Sequence, residues 1–597
     1  MYKVKMAIVV LFWAATALGQ SVTPGTQNFD LPDFAASELA GRQVPDDRVR
    51  SFVLAKRVVW TSETGVDGAD RLLLPVAGQT STAAMNDGCH MEKTAGADAA
   101  ILLDFGRELH GGLRLESRNL TPGNGSYGKS VRIRVRFGES ADEAMAEPGE
   151  KGAVVEHSAR DMIVNVPWLG AVEFGESAFR FARLDLLDDG AKICFDSVRA
   201  VFVHRNLQWL GSFRCSDPRL NDVWNTAAWT QFLTMQGYII EGAKRDRLVW
   251  YGDFHPQAMT TLALFGAVPV LTDSLGTYAR ETWPLPKWMN GMPNYSLWWL
   301  ITVSDVVRYS GNLDWLREQQ DYIKTLVDQL LPHIADDGRG GFDNPFLDWP
   351  THGKREALDA GTHAMFLMAF HRVRDLANLL QDASLAGKAD DALAKLGQYQ
   401  GTNQGNKQAA ALMACAGQES TAVANGQVVA KGGGQNFSTF YGYYMLEALA
   451  KTNQKQVALD VIRQYWGAML DVGATTFWED FDLAWLKNAG RIDELTPDGK
   501  ESLHGDRGAF CYIGLRHSLC HGWSSGPTPW IQNHILGVEP VSPGFKEISF
   551  QPFLGDLDWA EGTIPTPHGL IRVRLDKNAD GTIKSDLTLP DGVRVIP

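Results

Sequence analysis

The spacing of apolar residues along this chain changes twice, and the two changes limit what it can fold into. From about residue 50 to 205, short alternating runs such as "AILLDFG", "VRIRVRFGE", "DMIVNV" and "FRFARLDLL" are broken by Gly, Pro and Asn. Alternation between turn residues is β-sandwich patterning. From about 217, stretches such as "RLNDVWNTAAWTQFLTMQGYI", "LDWLREQQDYIKTLVDQLLPHI" and "QKQVALDVIRQYWGAML" place apolar residues three and four apart, as helices with one buried face do. Ten or more helices are expected, in consecutive pairs joined by Gly-rich and acidic connections, which suits antiparallel hairpins stacked in a ring. After about 538 the strand texture returns in "GFKEISFQPF", "GLIRVRLD" and "GTIKSDLTL". The expected organisation is a signal peptide at 1–19, an N-terminal β-sandwich at 20–207, a helical domain at 208–537 and a small C-terminal β-domain at 538–597.

Lys3 and Lys5 precede an apolar stretch, Met6 to Leu18, that ends in small residues at Ala17 to Gly19. That is the layout of a signal peptide, and the apolar run is short of the roughly 20 residues of a spanning helix, so a secreted protein is expected. A net charge of -14 without a lysine or arginine run argues against nucleic acid or an anionic membrane as the main partner. Six cysteines (Cys89, Cys194, Cys215, Cys415, Cys511, Cys520) lack CxxC spacing, which speaks against zinc and leaves room for one or two disulfides. No HExxH motif occurs, and neither metal nor other cofactor is expected. "DKNADGTIKSDL" (576 to 587) imitates a calcium loop but has Leu587 where a bidentate Glu belongs, so it is read as a hairpin turn.

Two acidic, tryptophan-bearing stretches stand out among the connections. "EGAKRDRLVWYGD" (241 to 253) precedes a helix pattern, with Asp253 as its N-cap and Pro256 in its first turn. If 241 to 245 is helical, Glu241 and Arg245 share a face and pair, while Asp246 lies beside Trp250, where partial desolvation would suit a proton donor. A solvated cluster of ion pairs is the plainer alternative. "GATTFWEDFD" (473 to 482) sets Glu479 and Asp480 directly after Trp478. A helical ring would bring both stretches to one rim, and two carboxylates facing each other across a sugar-sized gap are the equipment of glycosidic bond cleavage. "FLDWPTHG" adds Asp348 and Trp349, and "SLCHGWSSGPTPW" adds His521 and Trp523, although a lone His or Trp is more often packed in a core. Ten of the 19 tryptophans fall between 209 and 349, where they stack on sugar rings or simply fill a wide barrel.

These motifs, in this order, resemble those of bacterial and fungal α-L-rhamnosidases. "LLDFGRELHGG" and "ILGVEPVSPGFKEISFQPF" extend the resemblance over roughly residues 95 to 590. It implies an N-terminal β-sandwich, a central (α/α)6 six-hairpin barrel, a small C-terminal β-domain, and an inverting mechanism on terminal α-L-rhamnose of plant glycosides or polysaccharides. The family's commoner first motif reads Arg-Asp-Glu-Arg-Leu-Gly-Trp-Thr-Gly-Asp, and here Arg245 to Asp253 run one residue shorter. Counted back from Trp250, the general-acid position is Asp246; aligned from the Arg-Asp pair, the acid is deleted and Glu241 is the reserve. Glu479 matches the general base. Trp250, Asp253, Trp349 and His521 match positions that line the sugar site, with Asp348, Arg245, Trp478 and Asp480 beside them. A six-hairpin glycosidase or lyase for another sugar, or a sugar-binding protein that lost its acid, are the rival readings.

Overall fold

A computed structural model describes residues 46–75, 87–124, 128–154, 156–284, 287–417 and 419–596. The stretch 1–19, read above as a signal peptide, lies outside the described residues. The chain divides into the units Met1–Arg48 and Val49–Pro597, and the larger carries the architecture that follows.

Its first part is a nine-stranded sheet organised around one long strand, Ala100–Thr121, which pairs with Ala171–Leu186 and Lys192–Arg205. Register shifts between Asp104 and Leu109 and between Gly111 and Leu113 bend that strand, as bulges do. A one-turn helix, Ala141–Met145, follows the strand Ser130–Gly138 and sits at the edge facing the helical part.

Twelve α-helices follow among the described residues: α1 Pro218–Thr234, α2 Phe254–Phe265, α3 Pro269–Thr282, α4 Pro293–Ser310, α5 Leu313–Leu330, α6 Arg355–Leu380, α7 Ala383–Leu396, α8 Lys407–Cys415, α9 Glu419–Ala430, α10 Gly442–Lys451, α11 Lys455–Asp471 and α12 Pro527–Ile535. The even-numbered helices pack each on the next, and α12 packs back on α2, which closes an inner ring; the odd-numbered ones lie outside it. Burial follows position. Every residue of α2 is buried, because it is covered on all sides, whereas outer α5 buries a stripe, Trp315, Leu316, Gln319, Tyr322, Ile323, Leu326, Val327 and Leu330, at three and four spacing. Each such large apolar side chain contributes about 1.5–3 kcal/mol.

The C-terminal part is one four-stranded sheet, with a further three-stranded one. The four-stranded sheet contains Ser212–Cys215 from before the barrel, paired with Trp559–Thr566, so the chain contributes to this sheet on both sides of the helices. The calcium-like stretch is the hairpin between Gly569–Lys577 and Ile583–Thr588, and Asp580 Oδ1 accepts there from the Thr582 amide at 3.0 Å. All six cysteines are free thiols, so the room left for one or two disulfides is not used. No helix among the described residues is long and apolar enough to cross a membrane.

Candidate active site

Alternation of outer and inner helices makes all inner helices run the same way, so every outer-to-inner connection emerges at one rim. These connections are 235–253, 283–292, 331–354, 397–406, 431–441 and 472–526, whereas inner-to-outer ones are tight turns such as 266–268 and 311–312. Long loops therefore gather where the inner helices present their N-termini, whose partial positive charge suits carboxylates. Both acidic stretches lie on this rim.

The stretch 241–253 is not helical. Glu241 and Arg245 do not pair; the chain doubles back, with Gly242 bridged antiparallel to His521 and the Gly522 amide donating to Glu241 O at 2.7 Å. A Cβ on Gly242 would lie 2.0 Å from Arg245 O, so only glycine admits this fold-back. Glu241 is buried, and its two carboxyl oxygens accept from the Trp523 amide at 2.8 Å and from Gln257 Nε2 at 2.5 Å. Burial, reinforced by Asp253, pushes its carboxyl well above the usual range. The solvated-cluster alternative fails on the same observation.

Arg245 instead forks between Asp246 and Glu479, one terminal nitrogen on each. Asp246 adopts left-handed φ (57°), a strained conformation that the packing around the turn holds in place. Its side chain is 20% exposed and Glu479's is not exposed at all, so of the two it is Asp246 that reaches solvent at the rim. Glu479 Oε2 also accepts from the Ser518 amide at 3.0 Å. Burial lifts Glu479 to about 7, against the lowering pull of Arg245. His521 Nε2 stands 3.7 Å from Glu241 and 3.8 Å from Glu479, and burial keeps it neutral by pushing its pKa well below the usual value. Donor atoms of Asp246, Glu479 and His521 lie within 4.8 Å of one another. This trio has metal-ligand chemistry, but Arg245 already supplies the cation between its two carboxylates. The same distance is shorter than the 6.5–9.5 Å gap of an inverting pair, because the Arg245 fork draws the two together.

The remaining candidates surround this pair. Asp253 precedes α2 without capping it through its side chain; its Oδ1 accepts from the Tyr295 hydroxyl at 3.1 Å, and burial raises it well above the usual range. Gly252 makes that contact passable, since a Cβ there would meet the Tyr295 ring at 2.1 Å. Asp348 caps Trp349 and accepts from Ser438 Oγ at 2.5 Å, and burial lifts it to about 6. Trp349 donates from Nε1 to the Tyr512 hydroxyl at 2.5 Å and stacks on Phe510 with ring centres 6.0 Å apart. Trp250 meets Tyr295 edge-on at 6.3 Å. Asp480 turns aside to bond the Phe481 amide, and burial lifts it to about 8. Trp478 is a core residue against Phe481 and His517. Trp298 and Trp299 are likewise buried in the barrel, so part of the tryptophan excess is filling.

Sequence reading did not single out Tyr295, Ser438, Tyr512 or Ser518, which touch the carboxylates or the aromatic wall. Nor did it single out His157, Glu139 and Glu143 of the sheet domain. His157 Nδ1 accepts from the Asp246 amide at 2.7 Å. Nothing in an isolated sequence ties those strand and turn positions to a loop about a hundred residues later.

The bacterial alpha-L-rhamnosidase six-hairpin glycosidase domain model matches residues 208–535, and the bacterial alpha-L-rhamnosidase C-terminal domain model matches 537–596. An alpha-L-rhamnosidase of Alteromonas sp. (strain LOR) is 32% identical over 117 residues, which are 19% of this chain and 10% of that protein. The chain thus spans about a tenth of that relative's length. Among solved structures, a GH78 family rhamnosidase of Bacillus sp. GL1 superposes with a TM-score of 0.68 at 21% identity, covering 88% of this chain and 56% of that one. The Streptomyces avermitilis alpha-L-rhamnosidase complexed with L-rhamnose gives 0.64 at 17%, covering 86% and 50%. A Klebsiella oxytoca rhamnosidase with rhamnose bound gives 0.61 at 20%, covering 84% and 98%. At these identities the likeness is one of fold.

Proposed function

Because the chain belongs to the bacterial alpha-L-rhamnosidase six-hairpin glycosidase family, we propose that it is a secreted exo-acting hydrolase that removes terminal α-L-rhamnose from plant glycosides or polysaccharides. The observation that carries this reading is the Arg245 fork, which gathers Asp246 and Glu479 from two distant connections into one aromatic-walled rim.

In the proposed reaction Glu479 is the general base. A carboxyl lifted by burial to about 7 is half ionised near neutrality, so it both exists as carboxylate and holds a transferred proton. Asp246 is the general acid, since it is the carboxyl of the pair that reaches solvent at the rim. An entering sugar ring takes Arg245 off one partner and parts the two carboxyl groups to the separation that admits a water on the face opposite the leaving oxygen. Once Arg245 has left it, Asp246 takes a proton from solvent and gives it to the glycosidic oxygen as that bond breaks, and Glu479 takes one from the attacking water. Glu241 and His521 stand behind the pair, where the imidazole, 3.7 Å from Glu241 and 3.8 Å from Glu479, is kept neutral by burial and does not compete for a proton. Trp250 and Trp349 present faces to the sugar, and Asp253 and Asp348 accept or donate to its hydroxyls.

Release of p-nitrophenol from p-nitrophenyl α-L-rhamnoside, beside a panel of other nitrophenyl glycosides, tests the substrate. Asp246→Asn and Glu241→Gln variants, assayed on an α-L-rhamnoside with a poor leaving group, test the acid: loss of turnover in the first with partial retention in the second supports Asp246, and the reverse transfers the role to Glu241. Rhamnose binding without turnover on any glycoside would leave a sugar-binding protein.

A further inference from the structure

Lys244, next to the Arg245–Asp246 turn, is buried between two glutamates of the sheet domain and two carbonyls of the 472–526 connection. Its ammonium lies 2.9 Å from Glu139 Oε2 and 2.9 Å from Glu143 Oε1, and it donates to the carbonyls of Leu515 at 3.2 Å and His517 at 2.8 Å. Glu139, Glu143 and His504 have donor atoms close enough together to hold a metal ion, and the Lys244 ammonium bonds to two of these three residues. The two glutamates are themselves fixed. Ser140 Oγ accepts from the Glu143 amide at 3.1 Å, and Glu143 Oε2 accepts from the Glu139 amide at 2.8 Å, a capping arrangement at the start of Ala141–Met145.

Glu139 reaches both sides of the reacting pair. Its Oε2 both holds Lys244 and accepts from the Leu519 amide at 2.7 Å, and the neighbouring Ser518 amide is the one that holds Glu479. More of the sheet domain converges on the same turn. Ser158 Oγ donates to Lys244 O at 3.0 Å, His157 takes the Asp246 amide, and Glu176 pairs with Arg247 at 2.7 Å. An ammonium taken so completely out of water is tolerable only between such partners, so the network has one arrangement rather than several.

We propose that Glu139 and Glu143 are positioning residues: through Lys244 on one side and Ser518–Leu519 on the other, the sheet domain sets the distance and angle between Asp246 and Glu479. The inference rests on the reading of those two as the reacting carboxyls. It makes the N-terminal β-domain a part of the active site rather than an appended module, acting without touching the sugar.

The test is the Glu143→Gln/Lys244→Met double variant of the full chain. It removes a buried cation together with one of its anions and so avoids leaving the ammonium half-paired. Expected are a kcat on p-nitrophenyl α-L-rhamnoside about 100-fold below the parent, the cost of a misplacement on the order of 1 Å, a KM within about threefold, and faster amide exchange over 242–248 while α2 and α4 exchange as in the parent. Lys244→Arg, which keeps the charge, should recover part of kcat. A double variant with kcat within about threefold of the parent, or with unchanged exchange over 242–248, overturns the proposal. If the parent itself does not turn over the rhamnoside, the functional reading fails, and exchange over 242–248 still decides whether the clamp holds the turn.

Discussion

Arg245 pairs with Glu479, 234 residues further along the chain, while holding Asp246 beside it in the same fork. This guanidinium is the charge that keeps Glu479 from rising further under burial. Replacing it with methionine therefore raises the Glu479 pKa above about 7. Because the base must be ionised, the acidic limb of the kcat/KM profile should move to higher pH in Arg245→Met, with a larger loss at pH 6 than at pH 8. Arg245→Lys should keep most of the limb in place. A profile from pH 5 to 9 checks this, and an unmoved limb would detach Glu479 from the rate.

The rim also sets a pH dependence of stability. Asp480 is lifted from its ordinary 3.8 to about 8 in the folded chain, so between those values the native state binds a proton that the unfolded state does not. Its contribution to stability is present at low pH and is lost as pH rises through about 8. Asp480→Asn removes the ionisable group and should be more stable than the parent by about 1–3 kcal/mol at pH 8, with the difference closing towards pH 4. Thermal melts of both proteins across that range measure it. A parent that melts at the same temperature at pH 5 and pH 8 would show that burying these carboxyls is not costly.

Trp349 is tied by its indole N–H to Tyr512 and stacked on Phe510, which leaves it a wall of the cleft rather than a reacting group. Trp349→Ala should raise KM about tenfold and change kcat less, the signature of lost ground-state contact. A fall in kcat with unchanged KM would place the indole in the reaction itself.

At Gly252 a methyl group would enter the Tyr295 ring at 2.1 Å. Gly252→Ala should destabilise the chain by about 1–3 kcal/mol, and it should lower activity by breaking the Tyr295–Asp253 bond. Unchanged melting and turnover would mean that the 241–253 connection moves freely, contrary to its buried hydrogen bonds.

How much of this could be read from the sequence follows from the range of each interaction. The helices announced themselves because a buried face repeats every three to four residues, as in Trp315 to Leu330, and their pairing made the ring legible. Trp349, Glu479 and His521 stand out in the sequence because each sits in a short stretch of unusual composition, and the fold brings their connections to one rim. The helical geometry on which a Glu241–Arg245 pair depends does not form. Periodicity cannot foresee that Gly242 lets the chain fold back on His521, or that Arg245 finds a partner on a remote loop. The Glu139–Lys244–Glu143 cluster was invisible for the same reason: its members are ordinary charged residues until the fold removes them from water.

The most direct test of the account is the hydrolysis of an α-L-rhamnoside followed by proton NMR from the first turnovers, with Glu479→Gln alongside. The account predicts release of rhamnose first as the β-anomer and a loss of about 1000-fold or more in kcat for Glu479→Gln, with Asp246→Asn similarly impaired on a poor leaving group. Release of the α-anomer first would contradict inversion, and a Glu479→Gln variant as active as the parent would contradict the assignment of the rim carboxylates as the reacting pair.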